Sequence, residues 1–265
     1  MQSWRRTRQR DLPEGWPASN LSANREGRTP VRSDGRVVVI TGVAGEGQIG
    51  EALASAFCEA GARVAAVDRV HEQVVTRAAA LTDAGFDCRP FTCDLTDPAQ
   101  TSALALDLTH EYGGVDAFVH AAGGFAMSGP VAESDSAVWD RMFAINLTSA
   151  YVATRAMLPL LRLRQGAIVY FGSVAVLDGG LSAGMAAYAA AKSGVLTLMR
   201  TVAQEEAEHG VRANAIAPVA VRTAANLATM GTGQRYVERE EVATVTRFLC
   251  SPEAARITGQ VLVLG

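Results

Sequence analysis

The sequence predicts an α/β fold: one doubly wound parallel sheet of about seven strands, with helices on both faces. Three observations predict it. From Arg36 onward, short apolar runs alternate with segments of helical periodicity. The first of those runs leads straight into a glycine-rich turn. The chain has 265 residues, 49% apolar and only 19% charged, which is enough material for one large buried core.

Each element follows from its own pattern. Val37-Val38-Val39-Ile40 is a continuous apolar run, as a strand buried on both faces requires. Thr41 to Gly50 is the glycine-rich turn. A helix follows, with Ile49, Leu53, Ala56 and Phe57 on one face and Gly61 as its stop. Arg63 to Val67 is a second strand ending in Asp68, residues 72–84 a helix, and Cys88 to Cys93 a third strand ending in Asp94. A helix over about 98–111 precedes a fourth strand, Val115 to His120, which ends in Ala121-Ala122-Gly123-Gly124. Residues 135–163 form a long helix that Pro159 ends or kinks late. Ala167 to Phe171 is a fifth strand, about 185–209 a helix stopped by Gly210, and Val211 to Ala217 a sixth strand. A helix over 239–250 and a strand from Gln260 to Leu264 complete seven strands and six helices. Ligands on such a sheet bind beyond the carboxyl ends of the strands, where the strand order reverses.

Residues 1 to about 34 differ from the rest. They carry seven Arg, three Pro and two Trp without apolar periodicity, and read as a disordered tail or as an upstream start codon chosen too early. Asp11, Glu14 and Glu26 count against an Arg-rich targeting peptide. Residues 35–265 then form a single domain.

Composition narrows the function. A net charge of −3 argues against nucleic acid as the main partner. Cys58, Cys88, Cys93 and Cys250 form no CxxC pair and have no His cluster beside them, so reduced, partly buried thiols are expected, and no metal site. No apolar run reaches the ~20 residues of a membrane-spanning helix, and Arg5-Arg6 leads into no apolar stretch of a secretory signal. A cytoplasmic protein acting on a small molecule is the expectation. Of 24 basic residues only one, Lys192, is lysine.

The turn after the first strand lets backbone N–H groups approach a pyrophosphate at a helix N-terminus. Gly42, Gly45, Gly47, Ile49 and Gly50 are its candidate contacts. Asp68 lies 18 residues after Gly50 at the end of the next strand, where a carboxylate accepts both ribose hydroxyls and repels a 2′-phosphate. NAD(H) is therefore favoured over NADP(H), and Glu46 in the turn adds to that preference. Arg69 can pair with a phosphate, so NADP(H) stays open.

These residues resemble the short-chain dehydrogenase/reductase family over about residues 35–265. Thr41-Gly42, Asp94-Leu95 after the third strand and Ala-Ala-Gly after the fourth carry the resemblance. It implies a Rossmann-type sheet, with Asp94 and Leu95 bordering adenine and Ala122 and Gly123 on the ribose and nicotinamide side. Two departures stand out. The turn is about two residues longer than the family's, leaving open whether Gly45 or Gly47 is the middle glycine. His120 and Ala121 replace the family's two asparagines.

Tyr188-Ala-Ala-Ala-Lys192 puts a phenol and an ammonium on one helix face. A cation ~4 Å away is worth about three pKa units to a phenol at an effective dielectric near 20, enough to make it useful for proton transfer. Ser173, 15 residues earlier at the end of the fifth strand, can donate to a substrate oxygen; Ser182 competes from a less anchored loop. Asn146 sits in Phe-Ala-Ile-Asn-Leu, where the family has an Asn that holds a relay water beside the lysine. After the sixth strand, Pro218 and Thr223 are the expected cofactor contacts, Thr223 toward the carboxamide. The lid beyond them is short, so the pocket is open or finished by a partner subunit. Phe125, Met127, Leu181 and Met185 make part of it apolar.

The expected activity is hydride transfer between a nicotinamide and a carbonyl or secondary alcohol, with Tyr188 as general acid/base. A narrower resemblance, to quinonoid dihydropteridine reductases, rests on Ala121-Ala122-Gly123-Gly124-Phe125, on Leu177-Asp178-Gly179 before Gly184-Met185 and Tyr188, and on Pro218-Val219 with its short lid; those enzymes generally lack the serine present here as Ser173. A non-catalytic dinucleotide sensor is a further alternative, disfavoured because Tyr188 and Lys192 are both kept. The family also implies a homodimer or homotetramer packed through its fourth and fifth long helices.

Overall fold

The computed structural model describes residues 33–233 and 235–265. The expected tail over residues 1–34 lies outside the described residues except for its last two. Of these, Ser33 is buried and its N–H donates to the Ala60 carbonyl at 2.8 Å, tying it to the sheet domain.

The strands are β1 (Val37–Thr41), β2 (Arg63–Asp68), β3 (Cys88–Thr92), β4 (Ala117–His120), β5 (Ala167–Phe171), β6 (Arg212–Pro218) and β7 (Val261–Leu264). They pair in the order β3-β2-β1-β4-β5-β6-β7, all parallel. The order reverses between β1 and β4, so the carboxyl ends Thr41 and His120, which pair in register, stand at the crevice where ligands bind.

Alternation along each strand builds two cores. Val37 and Val39 face one side with α3 (Pro98–Tyr112), α5 (Ser149–Arg162) and α6 (Ala186–Glu205). Val38 and Ile40 face the other with α1 (Ile49–Glu59), α2 (His71–Asp83) and α8 (Arg239–Cys250). On α5, Met157, Leu160 and Leu161 are buried; each is worth about 1.5–3 kcal/mol of burial. Two features hold the helices in place. Asp97 caps α3, its carboxylate accepting the Ala99 and Gln100 N–H groups. Arg162 grips the buried Glu206 with two hydrogen bonds, at 2.8 and 2.7 Å, joining the C-terminal ends of α5 and α6.

One helical expectation is corrected. The stretch 135–163 is not one α-helix: α4 (Ser136–Met142) runs into a π segment, Phe143–Thr148, before α5. Pro159 lies inside α5, three residues before its end at Arg162. The π turn lets Asn146 aim its carboxamide at two carbonyls, a local demand that apolar periodicity does not reveal. Between β6 and α8 lies a further helix that periodicity does not reveal, α7 (Ala224–Met230). Thr223 caps it by accepting the Asn226 N–H at 3.1 Å, and the Tyr236 hydroxyl closes its far end onto the Gly231 carbonyl at 2.6 Å.

Candidate active site

Three strand ends and the start of α6 converge on the crevice. At the β1 end, Gly42 has φ +76° and approaches the β4 loop so closely that a Cβ would stand 2.9 Å from the Ala122 backbone. Gly50, in the first turn of α1, meets the Gly42 carbonyl in the same way. Only glycine lets these backbones cross. Of the two candidates for the middle glycine, Gly47 has the positive φ, +66°, and Gly45 does not. The Gly47 N–H donates to Glu51 at 2.7 Å, a carboxylate also paired with Arg77 and Arg239. Ile49 opens α1 and packs against the core behind the turn.

Asp68 sits at the end of β2. Its carboxylate accepts the Ala44 N–H at 3.1 Å and the Val70 N–H at 3.3 Å, so it braces the turn as well as facing the crevice. Beside it opens a cleft lined by Arg69, His71, Thr92, Asp94 and Gln100. Asp94 takes both the backbone N–H and the hydroxyl of Thr96, at 2.9 and 2.7 Å. Leu95 is buried in the core. These residues fit a dinucleotide. The turn brings bare backbone up to the crevice, and the cleft opens next to it, beside Asp68 at the end of β2.

The other side gathers the expected catalytic residues. Lys192, on α6, is 8% exposed, and its ammonium donates to the Phe171 carbonyl at 2.9 Å. It lies 5.8 Å from the centre of the Tyr188 ring. Burial lowers the Lys192 pKa to about 8. Burial raises that of Tyr188 above 10, while a hydrogen bond with Ser173 works the other way. The expectation that Lys192 draws the phenol down is therefore not met by the protein alone. The ammonium bonds a carbonyl, desolvation dominates, and the phenol is held neutral as a proton donor. Ser173 accepts the Ala175 N–H at 3.3 Å, and its hydrogen bond with Tyr188 holds its hydroxyl against the phenol.

Asn146 is buried, and both of its amide hydrogens are spent on carbonyls. Its carboxamide accepts the Gly124 N–H at 3.2 Å and donates to the carbonyls of Gly124 and Met142, both at 3.0 Å. It clamps the loop after β4. A Cβ on Gly123 would meet the Asn146 carboxamide oxygen at 2.7 Å and the Lys192 ammonium at 3.6 Å, so Ala122, Gly123, Asn146 and Lys192 share one corner.

The opening beside Tyr188 is apolar and tied together by main chain. The Phe125 ring meets Tyr188 edge-on, with centroids 5.0 Å apart. The Gly184 carbonyl accepts the Ser128 and Gly129 N–H groups at 2.8 and 3.1 Å, joining the β4 loop to the loop before α6. Met127, Leu181 and Met230 remain exposed around this opening. Pro218 ends β6 and Thr223 is buried as the cap of α7, so both lie at the rim of the crevice.

Sequence reasoning missed the partners of His120. It entered as a departure from a family pattern, yet a buried histidine at a strand end needs hydrogen bonds, and that need was the available signal. Among the described residues no group of three or more His, Cys, Asp or Glu is placed to hold a metal ion, and no helix is long and apolar enough to cross a membrane.

Residues 42–264 match a family model described as enoyl-(acyl carrier protein) reductase. The chain is 35% identical over 246 residues to 2-(S)-hydroxypropyl-CoM dehydrogenase 3 of Xanthobacter autotrophicus, covering 86% of this chain and 94% of that protein. It is 34% identical over 241 residues to a 3-oxoacyl-(acyl-carrier-protein) reductase of Vibrio cholerae, covering 86% and 95%. Among solved structures, a short-chain dehydrogenase from Mycobacterium smegmatis superposes with a TM-score of 0.77 at 31% identity, covering 91% of this chain and 97% of that one.

Proposed function

The chain belongs to the short-chain dehydrogenase/reductase family of NAD(P)-dependent oxidoreductases acting on alcohol and carbonyl groups, and from that premise we propose how its residues do the work. When bound, the nicotinamide supplies a hydride to a carbonyl carbon, or takes one from a carbinol. Tyr188 gives the proton to the carbonyl oxygen, or accepts it from the hydroxyl. Ser173 donates a hydrogen bond to that oxygen and stabilises the charge that grows there. Lys192 holds a positive charge beside the phenol and binds the nicotinamide ribose. Asn146 fixes the loop bordering that ribose and holds the water through which Lys192 exchanges protons with solvent. The observation that carries this reading is the convergence of a buried ammonium, a neutral phenol and the serine hydroxyl that hydrogen-bonds it at one crevice.

NAD(H) is the preferred cofactor in this reading. The Asp68 carboxylate is fixed by two backbone N–H groups at the ribose end of the cleft, where a 2′-phosphate is repelled. Assembly into a homodimer or homotetramer is supported by Trp139 and Tyr151, which stay 44% and 53% exposed on α4 and α5. The four described cysteines are buried free thiols, which suits a reducing cytoplasm. The matches reported above are to a dehydrogenase and reductases of other substrates, and they lend no support to a pteridine reductase. A panel of secondary alcohols, ketones and quinonoid dihydropterin, assayed with NAD(H) and NADP(H) side by side, tests the proposal. Turnover of alcohols or ketones with NAD(H) is expected; turnover of the pterin alone would overturn it.

A further inference from the structure

A closed ring of hydrogen bonds joins β1, β4 and the π segment. The Ala122 N–H donates to Thr41 Oγ1 at 3.0 Å. Thr41 Oγ1 lies 3.3 Å from His120 Nδ1, and His120 Nε2 lies 3.3 Å from Ser149 Oγ. Ser149 Oγ also stands 2.9 Å from the Ile145 carbonyl. The next residue, Asn146, holds both the N–H and the carbonyl of Gly124. Gly124 is two residues from Ala122, so the circuit closes through the chain.

The directions around this ring are forced. A carbonyl only accepts, so the Ser149 hydroxyl spends its one hydrogen on Ile145. It then accepts from His120, which makes the ring nitrogen Nε2–H. Nδ1 is left bare and accepts from the Thr41 hydroxyl, whose oxygen in turn accepts the Ala122 N–H. Every polar atom of the 3%-exposed His120 is satisfied. Burial first, and the charge of Lys192 second, lower the His120 pKa to about 3, so the ring stays neutral over the working pH range, in the tautomer that its hydrogen bonds select. An apolar side chain would fill this place at less desolvation cost, so the histidine has a task beyond packing.

We propose that His120 is a positioning residue: the ring it completes fixes the loop Ala122–Gly124 against Asn146 and Lys192, and so governs turnover rather than substrate affinity. The loop is the wall beside the ammonium, with Gly123 packed against the Asn146 carboxamide. A shift there of the order of 1 Å costs up to about 100-fold in rate. The inference rests on the active-site assignment made above.

The experiment compares Ser149→Ala, which removes the acceptor for Nε2–H, with Ser149→Thr, which keeps it. Amide exchange and steady-state kinetics are read on both. Ser149→Ala is expected to speed exchange at the Ala122 and Gly124 amides by about tenfold and to lower kcat by about tenfold, leaving KM within about twofold. Ser149→Thr restores both. His120→Leu repeats the loss if it folds; if it does not, the Ser149 pair decides. Unchanged exchange, unchanged kcat, or a Thr variant as impaired as the Ala variant would overturn the proposal. If the wild-type protein turns over no alcohol or carbonyl, the active-site assignment fails, while amide exchange still decides whether the ring holds the loop.

Discussion

The Lys192 ammonium donates a hydrogen bond to the Phe171 carbonyl at 2.9 Å, anchoring the one lysine of the chain to the end of β5. That bond does not offset its burial, which lowers its pKa from 10.5 to about 8. The unfolded chain then binds more protons between those two values. The penalty on folding is complete below pH ~8 and disappears above pH ~10.5. Lys192→Met should therefore stabilise the protein at pH 7 by about 2 kcal/mol, after allowance for the freed carbonyl, and abolish turnover. Urea unfolding at pH 7 and pH 10.5 measures it. A variant that is less stable at pH 7 would contradict the assigned cost of the buried charge.

The same value sets a pH dependence. Carbonyl reduction needs the Lys192 charge and the Tyr188 proton together. Burial keeps the phenol protonated above pH 10, so the ammonium is the first of the two to be lost. The kcat/KM for reduction should fall as pH rises through about 8. A pH–rate profile that stays flat to pH 9.5 would rule this out.

Arginine should not substitute for this lysine. The corner holding Lys192 is closed by Asn146, Gly123 and the Phe171 carbonyl, and has room for a compact ammonium. A planar, forked guanidinium does not fit the same point-charge role. Lys192→Arg should lower kcat/KM by about 100-fold or more while preserving charge. Wild-type rates would show that the abundance of Arg elsewhere, and not this site, explains the rarity of lysine.

Asp68 should decide between the two dinucleotides. Asp68→Ala removes the charge that opposes a 2′-phosphate and leaves Arg69 beside the cleft to pair with one. The ratio of kcat/KM for NADPH over NADH should rise by about 100-fold. NADH turnover should also weaken, because Ala44 and Val70 lose their common acceptor. An unchanged ratio would mean that the preference is set elsewhere.

Much of this was legible in the sequence. Val37–Ile40 and Ala167–Phe171 are continuous apolar runs because a sheet covered on both faces buries every residue, and both proved fully buried strands. Tyr188 and Lys192 were legible because a four-residue helical spacing fixes a shared face. What stayed hidden depends on pairing between distant segments. The π turn exists to bring Asn146 onto Gly124, 22 residues away, and no local period encodes that. Helix α7 is seven residues long and polar at its cap, too short to show periodicity. The pKa of Tyr188 is not legible in the sequence, because spacing gives proximity to a charge but not the desolvation that outweighs it.

The central claim is that Tyr188 moves the proton while the rest of the crevice holds the cofactor. The most direct measurement is Tyr188→Phe, assayed for turnover on a substrate that the wild-type protein accepts, together with NADH binding by fluorescence titration. The Phe125 edge contact and the packing of α6 survive the loss of one hydroxyl, so the variant should fold and bind NADH within about twofold of the wild type. Turnover should fall by about 100-fold or more, the scale of a lost general acid. Turnover at the wild-type rate with NADH binding intact would contradict the account.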